Sequence, residues 1–132
     1  MSFSMRDVEI FRPYPDEMPW ELLFEADADE EAVREYAEPD RVRIARLAGS
    51  TVAAYVISVV EPTVFSIRSL IVARPYRGAG LGRWMLGHAI GISESKGGRE
   101  IVAPACARTR LFEHSGFVSE SAGGWRLVLT PE

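Results

Sequence analysis

Leu70-Ile71-Val72-Ala73-Arg74-Pro75-Tyr76-Arg77-Gly78-Ala79-Gly80-Leu81-Gly82-Arg83 joins an apolar β-type run to an amphipathic run that begins at Leu81. Gly78, Gly80 and Gly82 alternate, so the backbone can approach a ligand closely and present its N–H groups to one side. The helix that follows adds unpaired N–H groups and the positive end of its dipole. Arg77 and Arg83 bracket these donors with side-chain charge. Donors, dipole and flanking cations together suit a pyrophosphate.

Other glycine-rich loops fit less well. A dinucleotide-binding turn needs G-x-G-x-x-G after the first strand of a βαβ unit, with an acidic residue about twenty positions on. This chain has G-x-G-x-G past its middle, and no second βαβ half follows. A Walker loop needs Gly-Lys-Ser/Thr, and the single lysine, Lys96, lies far from the glycines. A plain strand-to-helix turn would leave the flanking arginines and the helix start as coincidence.

The run from Leu70 to Gly82 resembles motif A of the GNAT acyltransferases, V-x-P-x-Y-R-G-x-G-[IL]-G, with one extra residue between Val72 and Pro75. About thirty residues on, Leu111-Phe112-Glu113-His114-Ser115-Gly116-Phe117 is similar to the L-Y-E-K-L-G-F segment of that family's motif B. The two motifs cover roughly Ser66 to Leu129. The resemblance implies an α/β (α+β) GNAT fold over a single domain, residues 1–132. Its central sheet is mixed, with about six to seven strands and about four flanking helices, and is splayed at the acyl-CoA site. The implied cofactor is acetyl-CoA or a close acyl-CoA relative. By the same resemblance, the backbone of Leu70, Ile71 and Val72 pairs with the pantetheine arm. Arg77, Gly78, Ala79, Gly80, Leu81, Gly82 and Arg83 hold the pyrophosphate, and Phe112 packs against the pantetheine.

Length and composition agree with one ordinary domain. The chain has 132 residues, enough to bury a modest core, and 47% of them are hydrophobic. One cysteine, Cys106, excludes an internal disulfide and a multi-cysteine zinc site, and no metal is expected. Cys106 reads as a small buried hydrophobe, since no histidine is placed beside it. The start lacks a basic segment followed by an apolar one, and the longest apolar run, Val52 to Val60, is too short for a bilayer. A cytoplasmic protein without a membrane partner is therefore expected. Between Asp16 and Asp40 there are eleven acids and one base, Arg34, although the whole chain sums to only −4. The remainder is net basic, with arginines near the glycine loop and at Arg108 and Arg110. That asymmetry suits an anionic cofactor meeting a cationic acceptor, or else two solvated acidic helices. No basic stripe with interleaved aromatics appears, so nucleic acid is not an expected partner.

The pattern predicts strands at Val8–Arg12, Val42–Leu47, Val52–Val60, Val64–Val72, Ile101–Ala103, Phe117–Val118 and Trp125–Leu129. It predicts helices at Pro19–Phe24, Asp29–Ala37, Leu81–Ser95 and Ala107–Glu113. Gly49-Ser50 is expected to turn the second strand into the third. In the third helix Leu81, Trp84, Met85, His88 and Ile92 share one face. That spacing favours His88 as a hydrogen-bonded core histidine over a catalytic one.

Acyl transfer to an amine needs deprotonation of the amine, a donor for the developing oxyanion and protonation of the leaving thiolate. In the family, the amide at the position of Ile71 or Val72 can polarise the thioester, and the tyrosine of L-Y-E-K often protonates the thiolate. Here that position is Phe112, and the family's frequent asparagine seven residues earlier is Ala105. Glu61, Ser66, Arg68, Glu113 and Ser115 are nearby polar candidates, and none is assigned a catalytic role. Two functions stay open. One is an N-acetyltransferase acting on a primary amine of a small molecule or protein. The other is an acetyl-CoA-binding regulatory module that acts through a protein partner. Family members often pair through C-terminal strands, which makes a homodimer an expectation of the resemblance.

Overall fold

The computed structural model describes residues 3–104 and 109–129. Seven strands form one sheet: β1 (Glu9–Phe11), β2 (Val42–Leu47), β3 (Ser50–Glu61), β4 (Val64–Val72), β5 (Glu100–Ala103), β6 (Val118–Ser119) and β7 (Trp125–Val128). Their spatial order is β1-β2-β3-β4-β5-β7-β6. Every neighbouring pair is antiparallel except β4 and β5, so the sheet is mixed as expected. The helices are α1 (Trp20–Ala26), α2 (Glu30–Tyr36), α3 (Leu81–Ser95) and α4 (Thr109–His114). The expected start of the last helix at Ala107, together with Ala105, Cys106 and Arg108, lies outside the described residues.

Central strand β3 is apolar on both faces because both are covered. Ala53, Tyr55 and Ile57 join the core under α3, while Ala54 and Val56 join the core under α1 and α2. Strand β4 divides the same way, but with a break in its alternation. Phe65, Ile67, Leu70 and Val72 enter the α3 core, whereas Ile71 enters the other. The break is a bulge: Val56 pairs with Ser69 and Ile57 with Ile67, leaving Arg68 without a cross-strand partner. Parallel pairing with β5 stops just before it, the last pair being Ser66 with Val102. Beyond this point, among the described residues, β4 runs on to Val72 along β3 alone. The sheet is thus forked between β4 and β5, with the β4 bulge at the fork.

Two local expectations are corrected. The β2–β3 turn is Ala48-Gly49, with φ 50° and 82°, closed by the pair Leu47 and Ser50. Positive φ at both central residues is the signature of a type I′ hairpin turn, whose twist matches that of the strands. Helix α3 buries Leu81, Met85, Leu86, Ala89 and Ser93, while Trp84 is 49% exposed. Two small residues, Ala89 and Ser93, complete this face, and the Ser93 hydroxyl donates to the Ala89 carbonyl at 2.8 Å. His88 therefore lies on the flank of the buried stripe, half-buried, rather than at its centre.

Candidate cofactor and acceptor site

The glycine loop is built by local rules. After β4, Ala73 donates to the Val52 carbonyl at 2.8 Å, and Arg74–Tyr76 make a single 3₁₀ turn. Gly78 and Gly80 then take φ of 83° and 88°, a region that a side chain disfavours. Gly80 is the N-cap of α3, and its carbonyl accepts from Trp84 N–H at 3.0 Å. The amides of the first helical turn have no partner within the helix, so they remain available to an anion.

A cleft of about 470 Å³ opens over this turn, lined by Val72, Tyr76, Arg77, Gly78, Gly80, Gly82, Arg83 and Leu111. Six residues expected at the site are thus brought together: Val72, Arg77, Gly78, Gly80, Gly82 and Arg83. Ala79 lies in the same loop. Leu81 is 1% exposed and anchors the helix start in the core, while Leu70 and Ile71 are buried one on each side of the sheet. Phe112 is 3% exposed, edge-on to Phe117 at 5.1 Å and stacked on Trp125 at 6.0 Å. Its neighbour Leu111 supplies the lining side chain on α4.

Arg77 is held from two sides. Its Nε donates to the Val72 carbonyl at 2.8 Å and its Nη2 to Glu25 Oε1 at 2.9 Å, while Arg74 lies 3.5 Å from the same oxygen. Glu25 on α1 thus joins the acidic N-terminal segment to the basic loop, a link that no local pattern announces.

A second cavity, of about 410 Å³, sits at the fork itself and is lined by Asp27, Tyr36, Ser66, Arg68, Val102, Ala103 and Pro104. Tyr36 organises it. Its hydroxyl donates to Asp27 Oδ2 at 3.0 Å and lies 2.9 Å from Ser69 Oγ, and the Arg68 guanidinium lies 4.7 Å from its ring centroid. Burial above all, with the Asp27 carboxylate adding to it, holds the phenol above its ordinary range despite the opposing Ser69 contact. Ser66 and Arg68 were visible as strand positions, but Asp27 and Tyr36 were not. They reach the fork only through packing of the α1–α2 layer on β4. Away from both cavities, the Tyr55 hydroxyl lies 2.6 Å from His88 Nδ1, so His88 is hydrogen-bonded as expected.

The fit of the loop to a diphosphate can be judged from its own atoms. Gly78 has nothing within 4 Å of where a Cβ would stand, and Gly80 has only Met5 Cε, at 3.9 Å. What these glycines provide is the left-handed backbone, with the helix amides and Arg77 and Arg83 beside it. The residues fit. Among the described residues no group of three or more His, Cys, Asp and Glu is placed to hold a metal ion, and no helix is long and apolar enough to cross a membrane.

Solved structures of acetyltransferases share the fold of this chain. An IAA acetyltransferase from Bacillus cereus is 26% identical, with TM-score 0.79, covering 86% of this chain and 79% of that one. A GNAT family acetyltransferase from Elizabethkingia anophelis with acetyl-CoA bound is 16% identical, with TM-score 0.81 and coverage of 93% and 99%. A Bacillus subtilis acetyltransferase in complex with CoA is 20% identical, with TM-score 0.75 and coverage of 95% and 98%. Among curated protein sequences none matches. The family model of the GNAT acetyltransferases matches residues 4–117, which span the fork, both cavities and the glycine loop. With most of its length inside that match, the chain belongs to the acetyltransferase (GNAT) family.

Proposed function

We propose that this protein transfers an acetyl group from acetyl-CoA to a primary amine of a small molecule or protein. One observation carries the reading: left-handed glycines at Gly78 and Gly80, with Arg77 and Arg83, open a cleft beside a strand that has lost its partner at the fork. When bound, acetyl-CoA supplies an acetyl thioester. The chain's residues do the rest. The loop amides and both arginines hold the diphosphate, as charge-assisted bonds to a helix start do well. The unpaired stretch of β4 up to Val72 offers an edge along which an extended arm is held as an added strand. Such an arm leads from the loop toward the fork, where the second cavity receives the amine. There the Asp27 carboxylate and the Tyr36 oxygen attract an ammonium group, and Asp27 is placed to take its proton. The freed nitrogen forms the amide bond, the carbon–sulfur bond breaks, and the thiol is released with one proton.

The test is calorimetric titration with acetyl-CoA, followed by thiol release across an amine panel. Binding together with turnover of at least one amine supports the reading. Folded protein that gives no heat rules it out.

The packing of Phe112 favours a second reading, an acetyl-CoA-binding regulatory module that acts through a protein partner. A buried hydrocarbon ring has no proton to give a leaving thiolate. Phe112→Tyr separates the two: activity absent in the parent and gained in the variant marks a module that kept binding without chemistry. Rapid turnover by the parent eliminates the module.

A further inference from the structure

We infer, resting on the acetyltransferase reading, that the fork cavity selects a small amine that also carries a carboxylate, in effect a free amino acid. Its carboxylate binds Arg68 and its amino group faces Asp27 and Tyr36. The cavity holds one fixed cation and one fixed anion that are not paired with each other. Arg68 is the bulge residue of β4, exposed, with its guanidinium over the Tyr36 ring. Among the described residues no carboxylate lies within ion-pair distance of it, a state it shares with Arg6, Arg34, Arg43, Arg83, Arg99 and Arg110, but of these only Arg68 lines the fork cavity. Asp27 is engaged only by neutral donors, the Asp29 N–H at 3.0 Å and the Tyr36 hydroxyl. Among the described residues it has no cation.

The guanidinium lies over the Tyr36 ring and makes no hydrogen bond among the described residues, so its N–H groups are free to grip a carboxylate with two bonds. A ligand with both charges satisfies both groups and adds no net charge to a surface already rich in acids. An acceptor with positive charge alone, such as a polyamine or a lysine side chain, leaves Arg68 unmatched and facing a like charge. A volume of about 410 Å³, floored by Val102, Ala103 and Pro104, suits a metabolite rather than a folded chain.

The experiment uses the full chain, acetyl-CoA and matched amines: a panel of free amino acids, the carboxamide of each, the decarboxylated amine of each, and one lysine-containing peptide. Thiol release and product mass are the readouts. The inference expects at least one free amino acid to be acetylated with kcat/KM about 10-fold or more above its carboxamide, as one charge-assisted pair provides. Arg68→Gln should collapse that ratio through a raised KM for the acid, and Arg68→Lys should restore part of it. Calorimetric affinity for CoA should stay at the parent value in both variants. Equal use of acid and carboxamide, preference for the peptide, or acetyl-CoA binding with no amino acid acetylated would each overturn it. Absence of acetyl-CoA binding by folded protein removes the acetyltransferase reading itself, and this inference with it.

Discussion

Arg77 bonds back to the last residue of the strand that precedes it, its Nε donating to the Val72 carbonyl at 2.8 Å. That bond ties the glycine loop to β4 and leaves the other edge of the guanidinium with Glu25. Arg77→Ala removes both the tie and a charge beside the diphosphate. Affinity for CoA should fall by about 10- to 100-fold, in line with loss of one or two charge-assisted bonds. Thermal stability should change little, because Arg77 is on the surface. Glu25→Gln should act the other way, raising affinity a few-fold at low salt by removing an anion that competes for the same guanidinium. Calorimetry at two salt concentrations checks both, and weaker binding by Glu25→Gln would mean that Glu25 positions Arg77 rather than competing for it.

Two glycines near α3 should fail on substitution for different reasons. At Gly80 a Cβ meets nothing closer than Met5 Cε at 3.9 Å, so Gly80→Ala suffers only from φ of 88°. The cost is about 1–2 kcal/mol, accompanied by weaker CoA binding as the loop relaxes. At Gly98, just beyond the helix, a Cβ would stand 2.7 Å from the Ser93 carbonyl oxygen and 3.1 Å from Phe65 Cδ1. Here the obstacle is backbone, which cannot give way cheaply. Gly98→Ala should cost roughly 1–3 kcal/mol without a specific effect on CoA affinity. Denaturant midpoints and binding isotherms for the two variants, measured side by side, decide whether the losses separate in this way.

Ala48 offers a stabilising change. It holds φ of 50° in a two-residue hairpin turn, a conformation that asparagine tolerates far better than alanine. Ala48→Asn creates an Asn-Gly turn and should add about 0.5–1 kcal/mol. The site lies on the β2–β3 hairpin, outside the residues lining both cavities, so turnover should be untouched. A midpoint equal to or below the parent's in urea unfolding contradicts the assignment of this turn.

Local features were legible in the sequence, and long-range ones were not. The element order and the glycine loop follow from apolar periodicity, turn residues and a helix start, all of which act within a few positions. The fork was foreseen only through resemblance, because the Arg68 bulge depends on how β3 and β4 fall into register. Asp27, Tyr36 and Ser69 converge from three elements, and Tyr36 and Ser69 are 33 positions apart. No spacing rule relates residues so distant. The face of α3 was misread at Trp84 because the expected stripe was drawn through Trp84, His88 and Ile92, whereas the buried side turns from Leu81 and Met85 toward Leu86, Ala89 and Ser93.

His88 should make stability depend on pH. Burial first, and the nearby Arg43 charge second, depress its pKa below the ordinary 6.5. Arg43 stands opposite Tyr55 in the β2–β3 ladder, and the Tyr55 hydroxyl is 2.6 Å from His88 Nδ1. With His88 neutral, the Tyr55 hydroxyl and Nδ1 share one hydrogen bond, whose donor is set by the ring's tautomer. The unfolded chain takes up the proton first as pH falls, so protonation favours unfolding. Stability from His88 is therefore present above pH 6.5 and is lost as pH falls from there through the lower folded value. Glu17 also titrates lower when folded, held down by the Tyr14 N–H and then by Arg46, but its window begins lower, near 4.5. Urea unfolding at intervals from pH 8 to 5 should show a falling midpoint in the parent and a flatter one in His88→Gln. Tyr55→Phe should keep the slope while losing about 1 kcal/mol at pH 8 through the missing hydrogen bond. A slope that survives intact in His88→Gln would assign the pH dependence to another group.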